Sequence, residues 1–514
     1  MVHYTTHHQS PKYMELLLIF SIACLCIPFL SNAKSVPIKA VNFGGWLVTE
    51  GWIKPSLFDG IPNKNYLDGT QLQFKSVREG KYLSAKNGGG STIIAKRTTN
   101  ASDFETFTLW RINEITFNFK VFNKKFVGLK NPGKSSVLVA EANAPNKAET
   151  FEIHTNPHNS SYVRIKAPND FFLQVKSDES VTADYIGDRR WEDDNPSVFL
   201  VTIIKTMQGE YQITNGYGPR LAPKVMKKHW DTFIREKDFK FIKKSGLNAV
   251  RISVGWWITS DPNPPKPYVG GSLQALDKAF FWANKYGIRV IIDLHAAKGS
   301  QNGLENSGSR DGSLEWGKTD DNIKQTVDVI EFLVARYAES PSLLAMDLLS
   351  DPFARGVSLR AISKFYKAGY RVVRKHSQNA YVVLSNRLGP IEPRELLNLT
   401  KGMTNSVIGV HYFNLFSPAF SNFTVQQNID YIYKNRTAQL KELTIPNGPL
   451  VFVGEWVAEM RLQNLTKKDI QRYGEAQIDV YGRLAKFGWA YWTLKNVNDH
   501  WSWEWMIKNG YIRL

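Results

Sequence analysis

Several apolar runs in this chain end in residues that handle protons or charge. Arg251 lies within one run, and His295 follows Val290-Ile291-Ile292-Asp293-Leu294. Ser350-Asp351-Pro352 follows another run, and His411-Tyr412, Glu455-Trp456 and Trp492 mark three more. Two carboxylates facing each other across a cleft suit the breaking of a glycosidic bond. One stays protonated and gives its proton to the leaving oxygen; the other attacks C1 or activates water. Asp351 and Glu455 are the candidates. The chain holds 15 Trp, whose faces can stack on the apolar faces of sugar rings. Each residue also has a structural alternative. Arg251 could be an ion-pair partner inside the fold, His295 a packing histidine, Glu455 a capping carboxylate and Trp492 plain core.

Such residues converge only if their runs are neighbouring parallel strands. Strands are expected at 41–47, 248–254, 289–295, 343–349, 381–386, 407–413, 449–455 and 489–494, with helices at 230–245, 272–287, 321–338, 358–376, 425–442 and 467–487. Runs such as Val290-Ile291-Ile292 and Val451-Phe452-Val453 are apolar on consecutive residues, as strands buried on both faces are. Eight such segments with helical crossovers predict an α/β fold, a (β/α)8 TIM barrel whose reactive residues sit at the C-terminal strand ends.

Residues 70–205 follow a different rule. Gly80-Lys81-Tyr82-Leu83 recurs as Lys124-Lys125-Phe126-Val127 and as Asp170-Phe171-Phe172-Leu173, at intervals of 44 and 46. Glu105-Thr106-Phe107, Glu149-Thr150-Phe151 and Ser197-Val198-Phe199 keep step with them. Three copies of an all-β unit imply a threefold closed assembly, because one copy cannot bury its own face. The repeat resembles a β-trefoil, more narrowly a fascin-like domain. The expected order is a signal peptide at 1–33, a first barrel segment at 34–69, the trefoil inserted at 70–205 after the first barrel strand, and the rest of the barrel at 206–514. Tyr82, Phe126 and Phe172 read as core of the insert.

Leu16 to Leu30 is apolar, preceded by Lys12 and followed by Ser31-Asn32-Ala33, the pattern of a cleaved secretory leader. Both cysteines, Cys24 and Cys26, fall inside it. The mature chain therefore has no disulfide, no cysteine nucleophile and no thiolate metal site. Six N-x-Ser/Thr sequons, at Asn100, Asn159, Asn398, Asn422, Asn435 and Asn464, fit a glycosylated, secreted or cell-wall protein. The 65 Lys and Arg outnumber the 47 Asp and Glu, for a net +18. Because they are spread along the chain, they point to general adhesion to acidic wall polysaccharide rather than to nucleic acid. The expectation is a monomer without membrane attachment, metal or cofactor.

The barrel resembles glycoside hydrolase family 5, in its plant exo-β-1,3-glucanase and β-glucosidase branch. The matching stretches are Val41-Asn42-Phe43-Gly44-Gly45-Trp46-Leu47, Lys54-Pro55-Ser56-Leu57-Phe58, Arg251-Ile252-Ser253-Val254-Gly255-Trp256-Trp257, Asp293-Leu294-His295-Ala296-Ala297, Gly299-Ser300-Gln301-Asn302-Gly303, Asn306-Ser307-Gly308-Ser309-Arg310-Asp311, Val453-Gly454-Glu455-Trp456 and Trp489-Ala490-Tyr491-Trp492. The resemblance implies a retaining β-glycosidase acting on β-glucans or β-glucosides, with Glu455 at the nucleophile position and Asp351 at that of the acid/base. It implies supporting roles for Arg251, His295, His411 and Trp492, and a terminal-glucose site at Glu50, Glu305 and Asn306.

Three positions depart from the family pattern, all at the reactive centre. Asn-Glu-Pro is replaced by Ser350-Asp351-Pro352, and His-x-Tyr by His411-Tyr412-Phe413. A carboxylate one methylene shorter is expected to open the gap between the pair from ~5–5.5 Å to roughly 6.5 Å. Ser350 is expected to fall short of the sugar 2-hydroxyl. Phe413 removes a phenol from the nucleophile, leaving Glu455 unpartnered with its pKa raised by burial. These changes predict weakened hydrolysis, with a catalytically impaired, lectin-like wall-glycan binder as the alternative.

Overall fold

The computed structural model describes residues 37–514 apart from 98, 132–135 and 189; the leader at 1–33 lies outside them. Eight parallel strands close a barrel in chain order. They are β1 (Ile38–Asn42), β2 (Ala249–Gly255), β3 (Arg289–Ala296), β4 (Leu343–Asp347), β5 (Tyr381–Ser385), β6 (Ser406–Tyr412), β7 (Leu450–Trp456) and β8 (Gly488–Tyr491). Pairing of β1 with both β2 and β8 completes the ring. The strands are buried almost end to end, enclosed within by their own side chains and without by helices.

The strand pattern anticipated the barrel but placed β1 three residues late. Asn42 ends it because the following Gly-Gly pair turns away; Gly45 has φ 69°, a conformation glycine adopts without steric cost. The helix Glu210–Phe233 begins twenty residues before the expected start. Pro219, Pro223 and Gly218 read as breakers, and a non-helical Gly218 (φ 69°) does interrupt the segment without ending it. The helix expected at 425–442 is two short helices, Val425–Tyr431 and Thr437–Leu443, joined by a π-turn.

Between β1 and β2 lies an all-β unit of twelve strands. Six of them form a closed ring: Gln71–Ser76, Phe107–Arg111, Thr116–Lys120, Phe151–Thr155, Tyr162–Lys166 and Phe199–Lys205, each antiparallel to the next and the last to the first. Three hairpins, 82–97, 126–142 and 172–185, touch one another through single bridges at Thr92–Val139, Ile94–Ser180 and Val137–Thr182. Leu72, Phe74, Phe117, Phe119, Phe151 and Ile165 fill the interior. Phe126 is buried, whereas Tyr82 and Phe172 are half-buried. All three rings lie outside that core cluster, each under a cation: Lys75, Lys120 and Arg164 respectively.

The unit is anchored to the barrel by charge. Arg310, in the loop after β3, stacks 3.8 Å above the Trp110 ring and donates to Asp68 at 2.7 Å. Asp311 accepts from Trp110 and Lys120 at 2.6 and 2.7 Å. Its two stems also meet. Gly51 donates to the Gln208 carbonyl at 2.7 Å and Glu50 bridges to Gly209. A Cβ on Gly209 would stand 2.4 Å from the Glu305 carbonyl oxygen, so only glycine lets this stem lie against that loop.

Candidate active site

Arg251 reaches the strand ends from β2 with no exposed surface. Its guanidinium contacts Asp347 at 2.9 Å, Asp293 at 3.0 Å and Glu455 at 2.8 Å, and it donates to Asn42 Oδ1 at 3.0 Å. Burying a guanidinium is costly unless opposite charge and hydrogen bonds surround it; here four strands supply both. Burial pulls the Arg251 pKa down, but Asp293, Asp347 and Glu455 together raise it above its usual value.

His295 extends the same floor. Its Nδ1 lies 2.7 Å from Asp293 Oδ2, which Ser253 also holds at 3.0 Å. Its ring stacks nearly parallel on Trp492, centroids 5.5 Å apart. Burial lowers its pKa, yet the charge and hydrogen bond of Asp293 prevail and carry it to about 9. Trp492 is 3% exposed; it is packed as a wall and supports His295. Asn306 Nδ2 stands 3.4 Å from His295 Nε2.

The carboxylate pair sits beside this floor. One oxygen of Asp351, one of Glu455 and a ring nitrogen of His411 all lie within 4.8 Å of one another. The expected widening to roughly 6.5 Å does not occur. Asp351 takes a left-handed backbone (φ 49°), which aspartate tolerates better than most residues, and its short carboxylate is drawn in by His411. His411 Nδ1 is 2.7 Å from Asp351 Oδ1 and 3.6 Å from Glu455 Oε2. A divalent cation could span the same spacing, but the ionic contact of Glu455 with Arg251 and the histidine proton disfavour added positive charge.

The proton balance of this cluster is unusual for an acid/base site. Burial raises the Asp351 pKa, but the charge and hydrogen bond of His411 hold it below the usual carboxylate value. Burial also lowers the His411 pKa, and Glu455 and Asp351 reverse that to a net rise. Glu455 is pushed up by burial, with Asp351 adding to the rise and His411 and Arg251 opposing it. The cluster thus favours an ionised Asp351 beside a His411 that holds its proton more tightly than a free imidazole.

The other departures resolve as follows. Glu455 is not left unpartnered, since Arg251 holds it at 2.8 Å. Ser350 is fully buried and its hydroxyl accepts from Arg251 Nη2 at 3.2 Å, so it faces the floor. Phe413 stacks on Trp501 at 5.8 Å and touches the exposed Phe416. The terminal-glucose candidates stand on the insert's stem and the loop after β3. Glu50 Oε2 accepts from Trp52 at 3.1 Å, and Oε1 has no partner among the described residues. Burial, above all, pushes its pKa to about 8, with the charges of Glu455 and Glu305 adding to the rise. Glu305 accepts from the Gln208 backbone at 3.3 Å and is also raised by burial.

Asp293, Asp347 and Asn42 were not singled out from sequence as site residues. Their signal was present: an acid or amide inside a strand buried on both faces must have a charged or hydrogen-bonding partner.

The family model for cellulases (glycosyl hydrolase family 5) matches residues 215–498, more than half of the chain. The chain belongs to glycosyl hydrolase family 5. Residues 63–204, the inserted unit, match a "Domain of unknown function (DUF7910)". A family relative, "Probable glucan 1,3-beta-glucosidase A" of Aspergillus fumigatus, is 32% identical over 344 residues, covering 59% of this chain and 79% of the relative. The "Glucan 1,3-beta-glucosidase" of Blumeria graminis is 30% identical over 353 residues, with the same coverage of each. Among solved structures, rutinosidase from Aspergillus niger superposes with a TM-score of 0.52 at 19% identity, covering 59% of this chain and 88% of that one; this likeness concerns the fold. No helix among the described residues is long and apolar enough to cross a membrane.

Proposed function

We propose that this family 5 glycoside hydrolase is a secreted retaining β-glucosidase of the glucan 1,3-β-glucosidase type, with Glu455 as nucleophile and Asp351 in the acid/base position. Turnover is weak wherever the leaving group needs a proton. The observation that carries the reading is the His411 bridge between two carboxylates whose oxygens approach within 4.8 Å. That separation suits direct attack on C1, not the wider gap that admits a water in inverting enzymes.

The two half-reactions are served unequally. In the first, Glu455 forms a bond to C1 while the leaving oxygen needs a proton. Asp351, paired with His411, is ionised at neutral pH and has none to give. In the second, water attacks C1 and Glu455 departs; an ionised Asp351 is the base that this step requires. Glu50, protonated at neutral pH with Oε1 unpartnered, supports the reading of a sugar-hydroxyl site beside Glu305 and Asn306. The relatives' names supply the β-1,3-glucan preference.

The ring of six strands with three mutually touching hairpins supports reading the insert as a β-trefoil. All six sequon asparagines are exposed, which supports glycosylation on a secretory route. Incubating the secreted protein with laminarin and with an aryl β-glucoside tests the activity. Release of glucose from the aryl substrate but little from laminarin is expected; equal rates contradict the weak-acid reading, and neither product contradicts the hydrolase reading.

The ionised Asp351 also favours a second reading, a glycan-binding protein that does not turn over. Calorimetry with laminaribiose distinguishes it by tight binding with no product.

A further inference from the structure

A groove of about 490 Å³ runs between the inserted unit and the barrel rim, within the size range of small-ligand sites. One wall is the insert, with Gln71, Thr106, Thr108 and Phe122; the other is the barrel loops, with Leu314 and Arg355. Phe122 is 59% exposed and meets Phe104, itself partly exposed, edge to face at 5.4 Å. An apolar ring left open beside hydroxyl and amide side chains is what a sugar ring needs on its two kinds of surface.

Most charges of the groove are paired, with one positive charge in excess. Lys120 pairs with Asp311 at 2.7 Å, and Lys124 and Lys318 share Glu315 at 2.9 Å. Arg355 and Asp103 have no ion pair among the described residues and are of opposite sign. With most cations already paired, only one positive charge is left to attract an anionic polymer, whereas a neutral polyhydroxylated chain would find donors and acceptors of both kinds along both walls.

Two chain segments tie the groove to the carboxylate site. Asp351 and Arg355 are four residues apart, so their Cα atoms are at most about 14 Å from each other. The other loop runs from Glu305 and Asn306 at the cleft to Asp311–Leu314 at the groove. A chain whose terminal glucose is held at Glu50, Glu305 and Asn306 would then leave over Asp351, toward Arg355.

We infer that this groove is a second carbohydrate subsite, gripping the aglycone end of a neutral β-glucan a few sugars beyond the scissile bond. The inference rests on the proposed cleft. Calorimetry with laminaribiose and laminarihexaose, in a Glu455→Gln background that holds substrate uncut, tests it. The hexaose should bind roughly tenfold more tightly than the biose, the scale of one anchoring side chain. That ratio should fall to near one in Phe122→Ala and in Arg355→Ala, exposed positions on opposite walls. A ratio unchanged in both variants, no dependence on length, or tighter binding of an oligogalacturonate would each overturn the groove and leave the cleft standing. Failure of both glucans to bind would overturn the cleft, and the groove with it.

Discussion

The floor of the cleft and the carboxylate pair beside it are built from the same barrel strands, yet they settle their charges differently. On the floor, Arg251 contacts Asp293, Asp347, Asn42 and, across to the pair, Glu455, and His295 contacts Asp293, which Ser253 also holds, all at 2.7–3.0 Å. At the pair, a single histidine serves two carboxylates, near one and farther from the other. The floor is a densely paired network that reaches the pair only through the Arg251 contact with Glu455; the pair itself has His411 between its two carboxylates. Of the three departures from the family pattern, Asp351 falls in the pair itself, Ser350 joins the Arg251 network and Phe413 packs on Trp501. Barrel stability and reaction rate should therefore respond to different residues.

The sharpest separation comes from Glu455→Gln. It should cut turnover of an activated aryl β-glucoside by about 10⁴ or more, while the urea midpoint moves little. A large loss of stability with it would merge the two layers. Arg251→Met should do the reverse kind of damage. Leaving Asp293 and Asp347 buried without their cation costs about 3–5 kcal/mol, read as a fall in unfolding free energy; an unchanged midpoint would mean that the floor does not depend on the guanidinium.

Asp351→Glu sharpens the comparison from the other side. A longer carboxylate, positioned above the leaving oxygen, should raise kcat/KM for a glucoside with a poor leaving group by about 100-fold and leave an activated one nearly unaltered. Gains of equal size on both substrates would place the defect in binding.

Stability should also depend on pH. His295 holds its proton more tightly folded, at about 9, than unfolded, at about 6.5. Its contribution to stability is full below about 6.5 and is lost as pH rises through about 9. Glu50, held protonated to about 8, adds a decline in the same direction that begins at lower pH. Urea unfolding at a series of pH values should show the decline, and His295→Gln should flatten its upper part. An identical slope in that variant would assign it to other groups.

The barrel was legible because a strand buried on both faces must be apolar on consecutive residues, and eight such runs are spaced by helical lengths. The 44- and 46-residue repeat exposed the insert for a similar reason: one unit cannot bury its own face. The helix at Glu210–Phe233 was obscured because its prolines and glycines, read locally, are breakers; Gly218 does interrupt the helical path, and Pro219 directly follows that break, where a proline is tolerated. Glu455 and Asp351 stood out as acids at the ends of apolar strands. Their separation did not, because a missing methylene was weighed without the backbone. The left-handed turn at Asp351 and the grip of His411, sixty residues away on another strand, are tertiary facts. The groove was invisible for the same reason, since its walls come from distant parts of the chain.

The dependence of kcat/KM on the leaving group reads the protonation of Asp351 most directly. Across a series of aryl and alkyl β-glucosides, an ionised Asp351 predicts a steep rise with leaving-group acidity. Dinitrophenyl glucoside should be cleaved at least about 10³-fold faster than methyl glucoside, with Asp351→Glu flattening the slope. A shallow dependence in the native protein would show that the leaving oxygen already receives its proton, and would contradict an ionised Asp351.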